Sequence, residues 1–216
     1  MIGLFIILLA AYLIGSISPS ILLSTLVKGQ DIRTYGSGNA GMTNAIRFLG
    51  PKWGTVVALF DLGKGVLASL GLTVWLSPLL GDLVIDPILL RILAGLAAVT
   101  GHIWTIFYRF RGGKGVLTLA GAVIGVAPLH VGICFLIFLV VFLLTRYVSL
   151  GSIVGAIVLP MIVLFQKIVL KETVSPYLIG FSFFVTLLIV YTHRANIARL
   201  LRGEESKFGK RNPQSA

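Results

Sequence analysis

The chain has 216 residues, of which 57% are hydrophobic and 12% charged, with a mean hydropathy of +1.01. A soluble domain is about one quarter charged, so a soluble globular core and an intrinsically disordered chain are both excluded, and the natural solvent is a bilayer. The net charge of +11 belongs, in such a chain, to loops that fix topology and face anionic lipid rather than to nucleic-acid binding. The single cysteine, Cys134, excludes an internal disulfide and packs in an apolar run.

In chain order, apolar stretches at 1–27, 53–79, 88–108, 116–145, 148–166 and 175–192 are long enough to cross a membrane. Each must be helical, because lipid offers the backbone no hydrogen-bond partner. The first lacks a basic leading segment and a cleavage site, so it is a retained span rather than a signal peptide. Thirty helical residues at 116–145 would extend about 45 Å, against a hydrocarbon core of about 30 Å, and Pro128 and Gly132 interrupt the run. Uncut, the chain crosses six times and its Lys and Arg divide nine against eight, with Lys64 inside a span. Cut near Pro128, it crosses seven times; fourteen then share one face, and only Arg91, Lys167 and Lys171 lie opposite. The positive-inside rule selects the second arrangement, an all-α bundle with the N-terminus outside and the C-terminus cytoplasmic. The piece 116–128 is short for a span and needs tilt or burial. One transmembrane domain, 1–196, is expected, followed by a basic interfacial tail, 197–216.

Three polar segments then share the cytoplasmic face. The first, within 30–52, contains Gly36-Ser37-Gly38-Asn39-Ala40-Gly41. This spells a dinucleotide fingerprint, but no βαβ unit surrounds it, so that reading fails. Its glycines let backbone amides approach an anion, Ser37, Asn39, Thr43 and Asn44 add neutral donors, and Arg47 adds a fork suited to phosphate. In the second, within 101–118, Gly112-Gly113-Lys114-Gly115 opens an apolar helix. Helix N-terminal amides beside a lysine form an anion site, whereas the spacing of a Walker A loop is absent. In the third, 193–211, His193 and Asn196 are three apart and so share a face of one helix, with Arg194 and Glu204 or Glu205 following. Asp61 and Lys64, also three apart, pair inside a span and support the site from behind. His102, near a span end, orients a loop and is a substrate-binding candidate.

No metal-ligand spacing and no Gly-x-Ser-x-Gly elbow occurs, so neither a metal nor another cofactor is expected. A thioester-dependent acyltransferase would carry His-x-x-x-x-Asp, yet Phe107, Phe135 and Ala198 stand at the fifth position after the three histidines. A small transporter of an anionic metabolite would place its polar groups at the midplane between repeats, and here they gather at one face.

Together the three segments resemble the motifs of the bacterial integral-membrane acyl-phosphate:glycerol-3-phosphate acyltransferases, the PlsY type. The resemblance runs through Gly36 to Arg47, through Gly101-His102 and Phe110 to Val116 with Thr118, and through His193 to Ile197 with Arg199, Leu200 and Gly203 to Glu205. Gly15 to Pro19 and Asp61-x-x-Lys64-Gly65 extend it. Met42 and Ala195 depart from the pattern without removing an obvious chemical group. The resemblance implies seven helices in a bacterial cell membrane and acyl transfer from acyl phosphate to the 1-hydroxyl of sn-glycerol 3-phosphate, giving lysophosphatidic acid and phosphate. It implies that a soluble phosphate acyltransferase supplies the donor. It also implies that Ser37, Arg47, the glycines of segment two, His193 and Asn196 matter for activity, and that a glutamate of segment three is structural. On this view Ser37, Arg47 and Lys114 clamp the substrates, Gly38, Asn39, Thr43, Asn44, His102, Gly112, Gly113, Gly115 and Arg194 line them, and Asp61, Lys64, Glu204 and Glu205 give support. Whether His193 or a substrate phosphate takes the hydroxyl proton stays open.

Overall fold

The computed structural model describes residues 2–80 and 85–209. The end of the basic tail, including Lys210 and Arg211, lies outside the described residues. Among those described there is helix and no strand. The helices are α1 (Ile2–Ser16), α2 (Pro19–Lys28), α3 (Met42–Leu49), α4 (Pro51–Val66), α5 (Thr73–Leu76), α6 (Pro87–Ile103), α7 (Val116–Ile124), α8 (Pro128–Thr145), α9 (Val148–Ile168), α10 (Pro176–Thr192) and α11 (Arg194–Leu201). A π-helical stretch, Leu67–Leu72, joins α4 to α5.

Proline starts many of these helices for a simple reason. The first helical N–H has no intrahelical partner, so its absence costs nothing there, and the fixed φ already suits the helix. Pro19, Pro51, Pro87 and Pro176 all sit in a first turn. The Asp86 carboxylate adds a cap to α6, accepting from the amides of Ile88 at 2.8 Å and Leu89 at 3.1 Å.

The long run 116–145 is broken near Pro128, as its length and Pro128 predict: α7 ends at Ile124 and α8 begins at Pro128. Among the described residues, five segments are by themselves long and apolar enough to span: Ile2–Lys28, Pro51–Leu76, Pro87–Tyr108, Pro128–Thr145 and Val148–Ile168. A sixth is reached if α10 and α11, which bend 62° from one another, count together. The nine residues of α7 extend only about 14 Å. That helix does not cross alone; it packs against α4 and α6, which satisfies by burial the need its shortness creates.

The chain forms two compact units, Met1–Ala127 and Pro128–Ala216. In the first unit, helix backbones approach so closely that only glycine fits at several crossings. A Cβ on Gly15 of α1 would strike the backbone of Ala98 in α6, one on Gly101 of α6 would strike the Tyr12 carbonyl, and one on Gly65 of α4 would strike the Thr118 carbonyl in α7. Such small-residue crossings are how helices pack in lipid, where apolar contact alone gives no preference for protein over lipid. Around them Ile7, Ala11, Ala68, Leu72, Leu90, Ala94 and Ala98 form a buried cluster. In the second unit α9 packs against both α8 and α10. There the Thr186 hydroxyl donates to the Ala156 carbonyl at 2.6 Å, and His130, which carries no expected role, bonds Gln166 through Nε2 at 2.9 Å.

Gly65→Ala should therefore destabilise the protein by about 1–3 kcal/mol, the usual cost of overpacking a close contact. Gly180→Ala, where a Cβ meets nothing within 4 Å, serves as the control. Thermal melts in detergent check this: a lower midpoint is expected for Gly65→Ala and an unchanged one for Gly180→Ala.

Candidate active site

The first unit brings two of the three polar segments together. The chain leaves α2 through Gly29, and Asp31 then caps a short turn by accepting from the Arg33 amide at 2.9 Å. The Asp31 carboxylate also grips the Arg33 side chain, Nε at 3.0 Å and an Nη at 2.6 Å. The Arg33 guanidinium holds the Asp31 carboxyl below its ordinary range. The other Nη of Arg33 reaches across to segment two and donates to the carbonyls of Tyr108 at 2.9 Å and Arg111 at 2.8 Å. This clamp between segments was missed in the sequence. The signal was there as Asp31-x-Arg33, but local spacing does not show where the far side of a guanidinium goes.

Beyond the clamp, the glycine-rich turn is organised from within. Asn44 is buried, with its carbonyl taking the Ser37 amide at 3.3 Å and its NH2 donating to the carbonyls of Ile32 at 3.1 Å and Tyr35 at 2.9 Å. Three of its hydrogen-bonding directions serve the loop, so Asn44 holds the shape of this turn. Ser37 and Gly38 stand exposed at the tip, while Asn39, Thr43 and Arg47 are half-buried.

Segment two begins where α6 ends. Arg109 and Phe110 take left-handed conformations, at φ 57° and 56°. This turns the chain back on itself, and the amides of Gly112 and Gly113 bond the carbonyls of Ile103 at 2.9 Å and His102 at 3.1 Å. Those amides thus cap α6, which corrects the expectation that they face an anion. The reason for glycine is close packing: a Cβ on Gly112 would strike the His102 carbonyl, and one on Gly113 would strike both the His102 ring and the Ala40 carbonyl. Gly115, at φ 78°, is the N-cap of α7. The amides that follow it, at the start of α7, have no intrahelical partner and carry the positive end of the helix dipole. Lys114 and the first turn of α7 lie immediately after these capped glycines.

Behind this turn Asp61 and Lys64 pair at 2.9 Å, both buried, and His102 joins them, with Nδ1 2.8 Å from the Lys64 ammonium. The expected pair is present, with a third member that sequence spacing did not reveal.

Segment three is built inside the second unit. His193 stands at the 62° bend between α10 and α11 as the N-cap of α11, its carbonyl accepting from the Ile197 amide at 2.9 Å, and Asn196 lies in the first turn of the same helix. The buried His193 ring donates from Nδ1 to the Ile189 carbonyl at 2.9 Å. Glu204 and Glu205 differ in their partners. Glu205 accepts from Ser149 at 2.7 Å, Asn196 at 2.6 Å and Arg199 at 2.7 Å, whereas Glu204 makes an exposed pair with Arg202. Arg194 is exposed and lies over the Tyr191 ring.

Comparison with known proteins bears on this geometry. The profile of the family described as glycerol-3-phosphate acyltransferase matches residues 5–203. A glycerol-3-phosphate acyltransferase of Chlorobium phaeobacteroides (strain BS1) is 44% identical, with 96% of this chain and 97% of that protein covered. One of Chlorobaculum tepidum is 43% identical, with 95% and 97% covered. The crystal structure of PlsY (YgiH), an integral membrane glycerol 3-phosphate acyltransferase, in its glycerol 3-phosphate form, is 36% identical with a TM-score of 0.81, over 95% of this chain and 96% of that one. Its lysophosphatidic acid form is 34% identical with a TM-score of 0.77, over 95% of each chain.

Burial raises the Glu205 carboxyl, but the hydrogen bonds from Ser149, Asn196 and Arg199 outweigh it and leave the group below its ordinary range. A lowered folded-state pKa gives stability that is fully present above the unfolded value, about 4.3, and lost as pH falls through the folded pKa. Glu205→Gln should lower the melting midpoint at pH 7 by several degrees, and the gap to the parent protein should close below about pH 4. Melts across pH check this.

Proposed function

The chain belongs to the glycerol-3-phosphate acyltransferase family, and on that footing we propose that its donor is acyl phosphate. The chain is a PlsY-type glycerol-3-phosphate acyltransferase. In the proposed reaction the 1-hydroxyl oxygen of sn-glycerol 3-phosphate bonds to the acyl carbon. The bond from that carbon to the phosphate oxygen breaks, and the hydroxyl proton leaves on the released phosphate. The products are lysophosphatidic acid and inorganic phosphate. A mixed anhydride has a good leaving group, so the protein needs to place the hydroxyl and stabilise developing negative charge, without a covalent intermediate.

The observation that carries this reading is the turn Gly112–Gly115, which opens α7 beside Lys114 and is held by Arg33 against the glycine-rich turn of segment one. A helix N-terminus with an adjacent ammonium suits a phosphate group. Ser37 and Arg47 bind and orient substrate from segment one. In segment three, His193 binds the glycerol phosphate, its ring oriented by the Nδ1 bond to the Ile189 carbonyl, and Asn196 is oriented by Glu205. The substrate phosphate takes the proton, because neighbouring cations hold that phosphate in place and disfavour a charged imidazole. With α7 counted as a crossing, fourteen Lys and Arg share one face with the polar segments, which the positive-inside rule assigns to the cytoplasmic side of a bacterial cell membrane. There a soluble phosphate acyltransferase delivers the donor.

Purified protein should convert acyl phosphate and glycerol 3-phosphate to lysophosphatidic acid and phosphate, keep that activity in a chelator, and turn over no acyl-CoA. Robust turnover of acyl-CoA overturns the donor assignment. Gly113→Ala should raise KM for a phosphate substrate about tenfold in a folded protein, since the loop must move off His102 and Ala40 to admit the methyl group. Unchanged kinetics would make the loop a turn only.

For His193→Asn, substrate assistance predicts residual turnover at saturating glycerol 3-phosphate, with KM rising more than kcat falls. A loss of several orders of magnitude in kcat at every pH, in a folded variant, would instead assign the proton to His193.

A further inference from the structure

The buried group around Lys64 determines the state of a histidine that neither motif chemistry nor spacing explains. The Lys64 ammonium donates to the Ile17 carbonyl at 2.9 Å, lies 2.8 Å from His102 Nδ1 and is ion-paired with Asp61 Oδ1 at 2.9 Å. An ammonium has no lone pair, so a nitrogen 2.8 Å away must offer one. Nδ1 of His102 is also 3.3 Å from Asp61 Oδ1, a longer approach than the one it makes to Lys64. The neutral ring therefore carries its proton on Nε2.

The direction of Nε2 is fixed as well. His102 is 5% exposed, and a Cβ built on Gly113 would collide with Nε2, so this edge of the ring lies against the bare backbone of the turn into α7. Among the described residues, none accepts a hydrogen bond from Nε2. This edge of the ring faces the turn into α7, whose helix dipole, leading amides and lysine suit an anion. The charged groups against His102 are Asp61 and Lys64 from α4.

We infer that His102 Nε2–H donates a hydrogen bond to a phosphate oxygen seated at the start of α7, and that Lys64 and Asp61 are positioning residues that fix this tautomer. The inference rests on the phosphate-handling role proposed for this turn. It explains why an ion pair is buried in the span behind the turn. Without the ammonium, Asp61 would draw the proton to Nδ1, and Nε2 would turn a lone pair on the phosphate.

Two readouts on the full chain in detergent test it. Nitrogen NMR of 15N-histidine-labelled protein, with the His102 signals assigned by their loss in His102→Gln, should show an Nε2–H tautomer. The Nε2 signal should shift as inorganic phosphate is added, and in Lys64→Met the tautomer should reverse. In phosphate titrations followed by the remaining signals, His102→Asn, whose amide is too short to reach the Nε2 position, should weaken phosphate binding about tenfold or more, as expected for one hydrogen bond to a charged group. His102→Gln, which can place an N–H there, should stay within about threefold. In turnover, His102→Asn should raise KM while kcat stays within about threefold. KM measured separately for acyl phosphate and glycerol 3-phosphate identifies whose phosphate is held. An Nδ1–H tautomer in the parent protein overturns the inference. So do unchanged phosphate binding and unchanged KM values in His102→Asn, or a loss that His102→Gln does not rescue. The NMR arms need no turnover, so a parent protein without acyl-phosphate activity would reject the proposed reaction and leave this inference to be judged separately.

Discussion

A charge buried among apolar helices must be answered where it lies, and in this protein Lys64 sets that requirement. Its ammonium is answered from three parts of the chain: hydrogen bonds to the carbonyl of Ile17 at the break between α1 and α2 and to the ring of His102 at the end of α6, and an ion pair with the carboxylate of Asp61 on its own helix. No water or lipid could substitute for these at comparable cost. The demand therefore registers α1, α4 and α6 against each other at one level. The glycine crossings let the backbones come close enough to meet it, and the hydroxyl of Thr105 tightens the same level by donating to the Ser16 carbonyl at 2.6 Å.

The polar turns hang from that level. The end of α6 is capped by the amides of Gly112 and Gly113 rather than by water. The turn that bears those glycines is tied to segment one through Arg33. Within segment one, Asn44 directs three hydrogen bonds into its own loop. The result is a pair of loops whose backbone groups are largely committed, with Ser37 exposed at the tip of one and α7 opening from the other. Rigid scaffolding of this kind suits a reaction that needs placement and electrostatics more than covalent help.

The second unit reaches a similar economy by other means. A bend at His193 breaks what would have been one long helix, and the ring closes the bend by donating to the Ile189 carbonyl. Glu205 then gathers Ser149, Asn196 and Arg199, so a single carboxylate orients the amide and ties α9 to the segment after α11. The neighbouring Glu204 has the same chemistry and none of this role, because it faces Arg202 at the surface.

Much of this was legible before any coordinates. Composition required a helical membrane protein, the length of 116–145 and Pro128 required a break, and three glycine- and cation-bearing segments marked the polar chemistry, since these follow from local physics: hydropathy, helix rise and the missing proline N–H. What the tertiary structure alone decided were the partners of each polar group. Spacing paired Asp61 with Lys64, but His102 joins them from 38 residues away, as helix packing and not sequence distance sets that contact. Spacing placed His193 and Asn196 on one helix, and the structure adds that His193 is the N-cap of that helix, set at a bend from α10 that spacing does not show. The glycines of segment two were visible as a turn, yet their amides cap α6 and their missing side chains make room for a histidine ring, because a backbone hydrogen bond is claimed by whichever acceptor the fold brings within reach.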